Sequence, residues 1–252
     1  FDPNDPNWFN RDRFILSAGH ESALQYVLLT MIGWLELDDL KKFRQLHSKT
    51  PGHPEIEMDG VECTTGPLGQ GFGMSTGMAL AESFLHNTIK SIDKEASSLV
   101  DHFTYVLASD GDMQEPITLG SASLSGHLGL SKLIVFYDSN EVQISGGVSR
   151  SDSTDYGAVF TGFGWHVQKI DGHDHDSIRI AIRKAQKSNQ PSLIIGETIM
   201  AKGSDGMEGD FNTHGAPLPQ DEIDATKVKL GIKSESFLLP EEVITYFRSD
   251  FQ

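Results

Sequence analysis

The sequence predicts an α/β fold: a doubly wound parallel sheet with helices on both faces. The first observation is a pair of short apolar runs, residues 104–108 and 132–137, which have the character of buried strands. The second is the helical pattern of residues 117–128 between them. A strand, a helix and a strand within about 30 residues form a βαβ unit, so the two strands should be parallel. The third is that strand and helix patterns keep alternating to about Thr198, as in doubly wound sheets.

The other elements follow from local patterns. Residues 22–32 carry apolar side chains at helical spacing, and Gly33 ends that helix. We predict a short helix over residues 37–46, then a glycine-rich loop, residues 66–71, that leads into a helix over residues 72–84. The second half should contain a strand at residues 163–170, a helix at 177–187 and a strand at 192–198. An irregular segment at residues 200–219 resembles a binding loop or mobile lid, and two closing helices should follow at 221–230 and 240–247.

Composition and charge exclude several classes of function. The chain has 252 residues with a formal net charge of −16, which argues against a nucleic-acid partner because phosphates would be repelled. No apolar run is long enough to span a membrane, and residues 1–6 are too polar for a secretory signal. The single cysteine, Cys63, rules out an internal disulfide and favours a reducing, cytoplasmic compartment. Any bound phosphate would have to be held by local groups against the overall negative charge.

Two polar clusters follow the central strands where each strand ends. Asp110-Gly111 follows the first strand, and Asp138-Ser139-Asn140 follows the second. Since adjacent parallel strands end at the same edge of a sheet, Asp110 and Asn140 should lie close together, and their oxygens suit Mg²⁺ or Ca²⁺. Gly111 would let a diphosphate approach the backbone. The alternative interpretation is ordinary turn chemistry, since Asp, Asn, Ser and Gly commonly end strands.

Three histidines lie in loops beside Gly or Pro, where they are better placed to reach a ligand than to fill a core. They are His20, His53 and His214. The segment 171–176 is also rich in Asp and His, but these residues precede a predicted helix. Capping of that helix explains them better than a metal site does.

Several motifs resemble the transketolase family. These motifs are FRQLHSKTPGHPE at residues 43–55, TTGPLGQG at residues 64–71 and HGAPL at residues 214–218. The segment from Asp110 to Asn140 is similar to a thiamine-diphosphate motif that keto-acid dehydrogenase E1 proteins share. The histidine motifs point to transketolase in particular, and the resemblance covers the chain from about Asn7 to its end.

The resemblance implies that the chain binds thiamine diphosphate together with Mg²⁺ or Ca²⁺. Asp110 and Asn140 would hold the metal through their side chains, and Val142 through its backbone carbonyl. Gly111 and Asn140 would also contact the diphosphate.

The same resemblance assigns roles to the remaining loop residues. His20 and His214 would lie near the diphosphate, and His53 would contact the hydroxyls of the donor sugar, so all three are candidate catalytic residues. Gly66 and Leu68 would offer backbone groups to the aminopyrimidine ring.

The family transfers a two-carbon ketol unit from a ketose phosphate to an aldose phosphate in the pentose phosphate pathway, and works as a homodimer. The glutamate that activates the cofactor belongs to a pyrimidine-binding domain. We therefore expect residues 1–252 to be a single diphosphate-binding domain, shortened at its amino end, that needs that domain or a second subunit and is inactive alone. Glu115 should lie near the dimer contact.

The sequence departs from the family pattern at two positions beside the metal motif. Ser109 replaces a glycine, which we expect only to tighten the turn, and Pro116 replaces another at the start of a helix, where proline is tolerated. The alternatives are a related enzyme, 1-deoxyxylulose-5-phosphate synthase or a keto-acid dehydrogenase E1, and a non-catalytic module that keeps the fold. Residues 51–54 agree poorly with the related enzymes, which disfavours them. Retention of Asp110, Asn140 and the three loop histidines disfavours a non-catalytic module.

Overall fold

The computed structural model describes residues 2–249, so the ends of the predicted domain, Phe1 and residues 250–252, lie outside the described part. The described residues contain seven strands: β1 (Arg13–Leu16), β2 (Thr104–Ser109), β3 (Leu133–Ser139), β4 (Val142–Gln143), β5 (Gly146–Gly147), β6 (His166–Asp171) and β7 (Ser192–Glu197). Five of them form one sheet in the order β1-β2-β3-β7-β6, and every pairing in it is parallel. Strands β4 and β5 form a small antiparallel pair.

The same part of the chain contains nine α-helices: α1 (Ser22–Ile32), α2 (Leu37–Leu40), α3 (Gln70–Ile92), α4 (Asp110–Gln114), α5 (Pro116–Leu128), α6 (Tyr156–Gly162), α7 (His175–Ala185), α8 (Gln220–Leu230) and α9 (Glu241–Ser249). None of these helices is both long enough and apolar enough to cross a membrane.

Helices cover both faces of the sheet, which confirms the predicted α/β architecture. On one face, α3, α5 and α6 bury a core in which the rings of Phe72, Phe160 and Trp165 meet. The indole N–H of Trp165 donates to the carbonyl of Ala122 at 2.8 Å, so the polar atom of this buried ring is satisfied. On the other face, α7 packs alanines against Ile134 and the neighbouring strands.

Several predicted boundaries were wrong for identifiable reasons. The short helix ends at Leu40 rather than at residue 46, because Arg44 and His47 adopt positive φ angles that no helix allows. Helix α3 continues to Ile92, well beyond residue 84. Strand β6 begins at His166, since residues 163–164 still belong to the turn that ends α6.

The strands and α-helices that were not predicted at all are β1, β4, β5, α4 and α6. Strand β1 has only four residues, and its place in the sheet depends on pairing with β2 rather than on a local pattern. Helix α4 begins directly after β2 because Ser109 acts as its N-cap, with the hydroxyl accepting from the N–H of Asp112. Ser109 thus does more than tighten a turn. Pro116 is the first residue of α5, where proline was expected to be tolerated.

A buried carboxylate joins three segments at the carboxyl edge of the sheet. Asp112 is 0% exposed. Its Oδ1 accepts hydrogen bonds from the Ser17 hydroxyl and the Gly69 N–H, both at 2.7 Å. Its Oδ2 accepts from the N–H and the hydroxyl of Ser109, both at 3.0 Å. One side chain therefore ties together the ends of β1 and β2 and the residue before α3.

Replacing Asp112 with Asn should lower the free energy of unfolding by about 3 kcal/mol, because hydrogen bonds to a charged group are lost and an NH₂ group faces donors. Urea denaturation measures this change. The control is Asp93→Asn, at an exposed turn where the carboxylate accepts from the Glu95 N–H at 2.9 Å. That control should change stability by less than about 0.5 kcal/mol. Equal losses in the two variants would contradict a joining role for Asp112.

Candidate functional site

A cavity of about 610 Å³ lies at the carboxyl edge of the sheet, where ligands bind in open α/β folds. Its walls come from the ends of β2 and β3, the turn after β1, the β4 segment and the loop at residues 200–215. Seven of the predicted site residues line it: His20, Leu68, Asp110, Gly111, Asn140, Val142 and His214.

The Asp110 carboxylate is held on both of its oxygens. Asp110 is only 3% exposed. Its Oδ1 accepts a hydrogen bond from the Tyr137 hydroxyl at 2.5 Å, and its Oδ2 accepts from the Glu141 N–H at 2.9 Å. Burial raises the pKa of Asp110 to about 6, although both hydrogen bonds oppose that rise. Each oxygen keeps a further lone pair, which a hard cation could use.

Asn140 lies in the loop that contacts Asp110, as its position after the adjacent strand predicted. Its Nδ2 donates to Asp138 at 2.8 Å, which fixes the orientation of the amide group. Its Oδ1 accepts from the Val142 N–H at 2.9 Å and keeps one lone pair. The amide and the Asp110 carboxylate line the same cavity, so both could donate oxygen to one metal ion.

Gly111 is needed here for a reason that the sequence did not reveal. A Cβ atom on Gly111 would lie 2.7 Å from Cδ1 of Leu68, closer than such atoms approach. The glycine therefore allows Leu68 to lie across the start of α4. The expected approach of a diphosphate to this backbone stays a prediction.

Two of the three loop histidines meet in the cavity. The ring centroids of His20 and His214 lie 5.3 Å apart. Burial lowers the pKa of His20, and the nearby His214 and His53 lower it further, while the charge of Asp112 raises it. Burial also lowers the pKa of His214. Both imidazoles are therefore neutral at pH 7. The Nδ1 atom of His214 is buried and has no hydrogen-bond partner among the described residues, so it is available to a bound group.

His53 and Gly66 lie beside this cavity rather than in its wall. A Cβ on Gly66 would lie 3.2 Å from Cγ of His53, and the φ of +144° at Gly66 also favours glycine. Gly19 approaches this backbone as well, since a Cβ there would lie 2.8 Å from the N of Gly66. Small residues thus let His53 pack against the backbone of Gly66, close enough to His20 to lower its pKa.

The sequence reasoning missed an acidic residue of the cavity, Glu21. Burial raises the pKa of Glu21 to about 8, and the charges of Asp138 and Asp112 add to the effect. The carboxyl group is therefore mostly protonated at pH 7. Its sequence signal is weak, because an acid at the start of a helix is explained by the helix dipole alone.

The histidine-rich segment before α7 is a cap, as predicted. Asp174 is the N-cap and accepts from the Asp176 N–H at 3.1 Å. The Nε2 atom of His173 accepts from the Ile199 N–H at 2.8 Å, which occupies the lone pair that a metal would need.

A second group of ligating side chains lies far from the cavity, at Glu82, His86 and Asp101. The ammonium group of Lys132 already pairs with both of its carboxylates, lying 3.2 Å from Glu82. The Lys132 ammonium group thus already compensates the negative charge of these carboxylates, so a metal ion is not required there.

The raised pKa of Glu21 predicts how stability varies with pH. The native carboxyl keeps its proton up to about pH 8, whereas the unfolded one loses it near 4.5, so this group destabilises the fold increasingly as pH rises between these values. Glu21→Gln should match the unsubstituted protein at pH 4.5 and exceed its stability by on the order of 4 kcal/mol at pH 8. Urea denaturation across this range measures the difference. Glu95→Gln, at an exposed position, should show no such trend, and a flat Glu21→Gln difference would refute the assignment.

Comparisons with known proteins agree on one family. The family model for "Transketolase, thiamine diphosphate binding domain" matches residues 1–252. The transketolase of Staphylococcus epidermidis is 49% identical over 252 residues, which is 99% of this chain and 38% of that protein. Transketolase 2 of Aliivibrio fischeri is 49% identical over 244 residues, covering 96% of this chain and 36% of its own length.

Solved structures give the same result. The transketolase of Campylobacter jejuni superposes with a TM-score of 0.94 at 43% identity, over 98% of this chain and 39% of that one. The transketolase from Leishmania mexicana also gives 0.94, at 40% identity, over 98% of this chain and 37% of its own. The chain thus spans about two fifths of the relatives that it matches, and it belongs to the transketolase family as a thiamine-diphosphate-binding domain.

Proposed function

We propose that this chain supplies the diphosphate- and metal-binding half of a transketolase active site, which transfers a two-carbon ketol unit between sugar phosphates in the cytoplasm. The observation that carries the proposal is the cavity at the carboxyl edge of the sheet. There the Asp110 carboxylate, the Asn140 amide and two neutral histidines line one space, in a chain of this family. When bound, thiamine diphosphate supplies the nucleophilic carbon and the electron sink that break and remake the carbon–carbon bond.

The proposed metal is Mg²⁺, with Ca²⁺ as a substitute. The side-chain oxygens of Asp110 and Asn140 and the carbonyl of Val142 would hold it, and diphosphate oxygens would complete the coordination. The hard oxygen donors in the cavity wall support this choice. A dication would also offset the repulsion between the anionic diphosphate and a chain whose net charge is −16.

His20 and His214 would hydrogen-bond the diphosphate end of the cofactor and handle protons close to it. A neutral imidazole offers one donor and one acceptor, so it can give and take a proton near pH 7. The unpartnered Nδ1 of His214 supports a ligand here, because a buried ring nitrogen without a partner is unfavourable. His53, packed on Gly66, would reach the hydroxyls of the donor sugar.

The aminopyrimidine half of the cofactor would meet the backbone of Gly66 and Leu68. Leu68 lines the cavity and lies across Gly111, which supports a position between the two halves of the cofactor. No described residue of the chain is proposed to activate the ring, so a carboxylate from a pyrimidine-binding domain is required.

That domain would come from the partner chain of a homodimer and cover the exposed face of α3 and α5. Met74 of α3 and Ile117 of α5, in the halves of these helices that start near the cavity, are 36% and 42% exposed. The relatives extend well beyond the matched region, and the additional part of such a chain could cover this face. Glu115, the N-cap of α5, would lie near this contact. Residues 1–252 should then show no transfer activity without it.

The test of this proposal compares the full chain with its Asp110→Ala variant. Calorimetry should show that the variant loses Mg²⁺-dependent thiamine-diphosphate binding by at least about 100-fold, because the metal loses a charged ligand. When the pyrimidine-binding domain is supplied, transfer from xylulose 5-phosphate to ribose 5-phosphate should fall in parallel.

Asp171→Ala is the matched control. Asp171 ends β6 at the same edge of the sheet, but it accepts from the His173 N–H at 2.8 Å and does not line the cavity. It should bind the cofactor within about 2-fold of the unsubstituted protein. If Asp110→Ala kept full affinity, the proposed site would be wrong.

A further inference from the structure

The residue that orients Asp110 is a buried tyrosine. Tyr137 is 6% exposed, on the strand next to the one that Asp110 follows. Its hydroxyl donates to Oδ1 of Asp110 at 2.5 Å, while the Glu141 N–H holds Oδ2. The two donors come from different points of the chain, one in β3 and one in the loop after it. Together they fix the rotation of the carboxylate about its own axis.

This restraint matters because Asp110 borders two cavities. One is the candidate cofactor site, and the other is a cavity of about 490 Å³ lined by Tyr137, Tyr156 and Asp152. Without the tyrosine hydroxyl, the carboxylate would have space on both sides. Its lone pairs would then point less consistently into the cofactor site.

Tyr137 is itself held in place. Its ring meets that of Tyr156 edge to face, with centroids 6.1 Å apart and an interplanar angle of 85°. Tyr156 is fixed in turn, since its hydroxyl donates to Oδ2 of Asp152 at 2.6 Å. The two tyrosines therefore share their surroundings, but only Tyr137 contacts Asp110.

We propose that Tyr137 is a positioning residue of the metal site, which holds the Asp110 carboxylate in the orientation that octahedral coordination of Mg²⁺ requires. The proposal rests on the proposed function of the cavity. Mg²⁺ demands near-ideal octahedral geometry, whereas Ca²⁺ accepts variable geometry and coordination number. Loss of the hydroxyl should therefore weaken Mg²⁺ binding more than Ca²⁺ binding. A side chain that served only to stabilise the fold would weaken both equally.

The experiment measures Mg²⁺ and Ca²⁺ affinities of the full chain with thiamine diphosphate, by calorimetry, for Tyr137→Phe and for the control Tyr156→Phe. Each substitution removes one hydrogen-bonded hydroxyl and keeps the ring. Tyr137→Phe should lower Mg²⁺ affinity by about 10-fold or more and Ca²⁺ affinity by less than about 3-fold. Tyr156→Phe should leave the ratio of the two affinities unchanged.

The ratio is the decisive quantity, because partial unfolding of a variant lowers both affinities by the same factor. An unchanged ratio in Tyr137→Phe, or an equal change in Tyr156→Phe, would overturn the positioning role while leaving the site assignment intact. If the unsubstituted protein showed no metal-dependent binding and Asp110→Ala had no effect, the proposed function itself would fail, and this proposal with it.

Discussion

The arrangement of the site depends on the buried carboxylate of Asp112, which is fully enclosed and accepts four hydrogen bonds. Its donors lie at the ends of β1 and β2 and directly before α3. The chain neighbours of these donors include Leu68 directly before Gly69, His20 three residues after Ser17, and Asp110 directly after Ser109. A group that does not line the cavity thus sets the separation of the segments that do, which is how a rigid fold positions loops for binding.

Electrostatics then decide what the cavity can hold. Its acids include Glu21 and Asp138, in a chain whose net charge is already −16. A diphosphate can enter only if a cation compensates it, and neutral histidines add hydrogen bonds without adding repulsion. The raised pKa of Glu21 reduces the repulsion of a bound diphosphate, because a protonated carboxyl adds no negative charge. The acidic composition and an anionic cofactor are therefore compatible through local chemistry.

Much of this could be predicted from the sequence, because apolar runs reveal buried strands and the polar residues after them mark the edge where ligands bind. Asp110 and Asn140 were found in that way. Other features, besides Glu21 and helix α4, could not be predicted. Strand β1 is too short to carry a pattern of its own. Asp112 resembles any acid in a first helical turn, and its partners lie far along the chain at Ser17 and Gly69. Tyr137 resembles a core residue until its contact with Asp110 is seen.

We propose that the cavity holds a metal ion between Asp110 and Asn140. The most direct measurement is anomalous diffraction from crystals of the full chain grown with thiamine diphosphate and Mn²⁺ in place of Mg²⁺. We expect one strong peak within about 2.2 Å of a carboxylate oxygen of Asp110 and of the amide oxygen of Asn140. A peak at Glu82, His86 and Asp101 instead, or cofactor bound with no peak at Asp110, would contradict it.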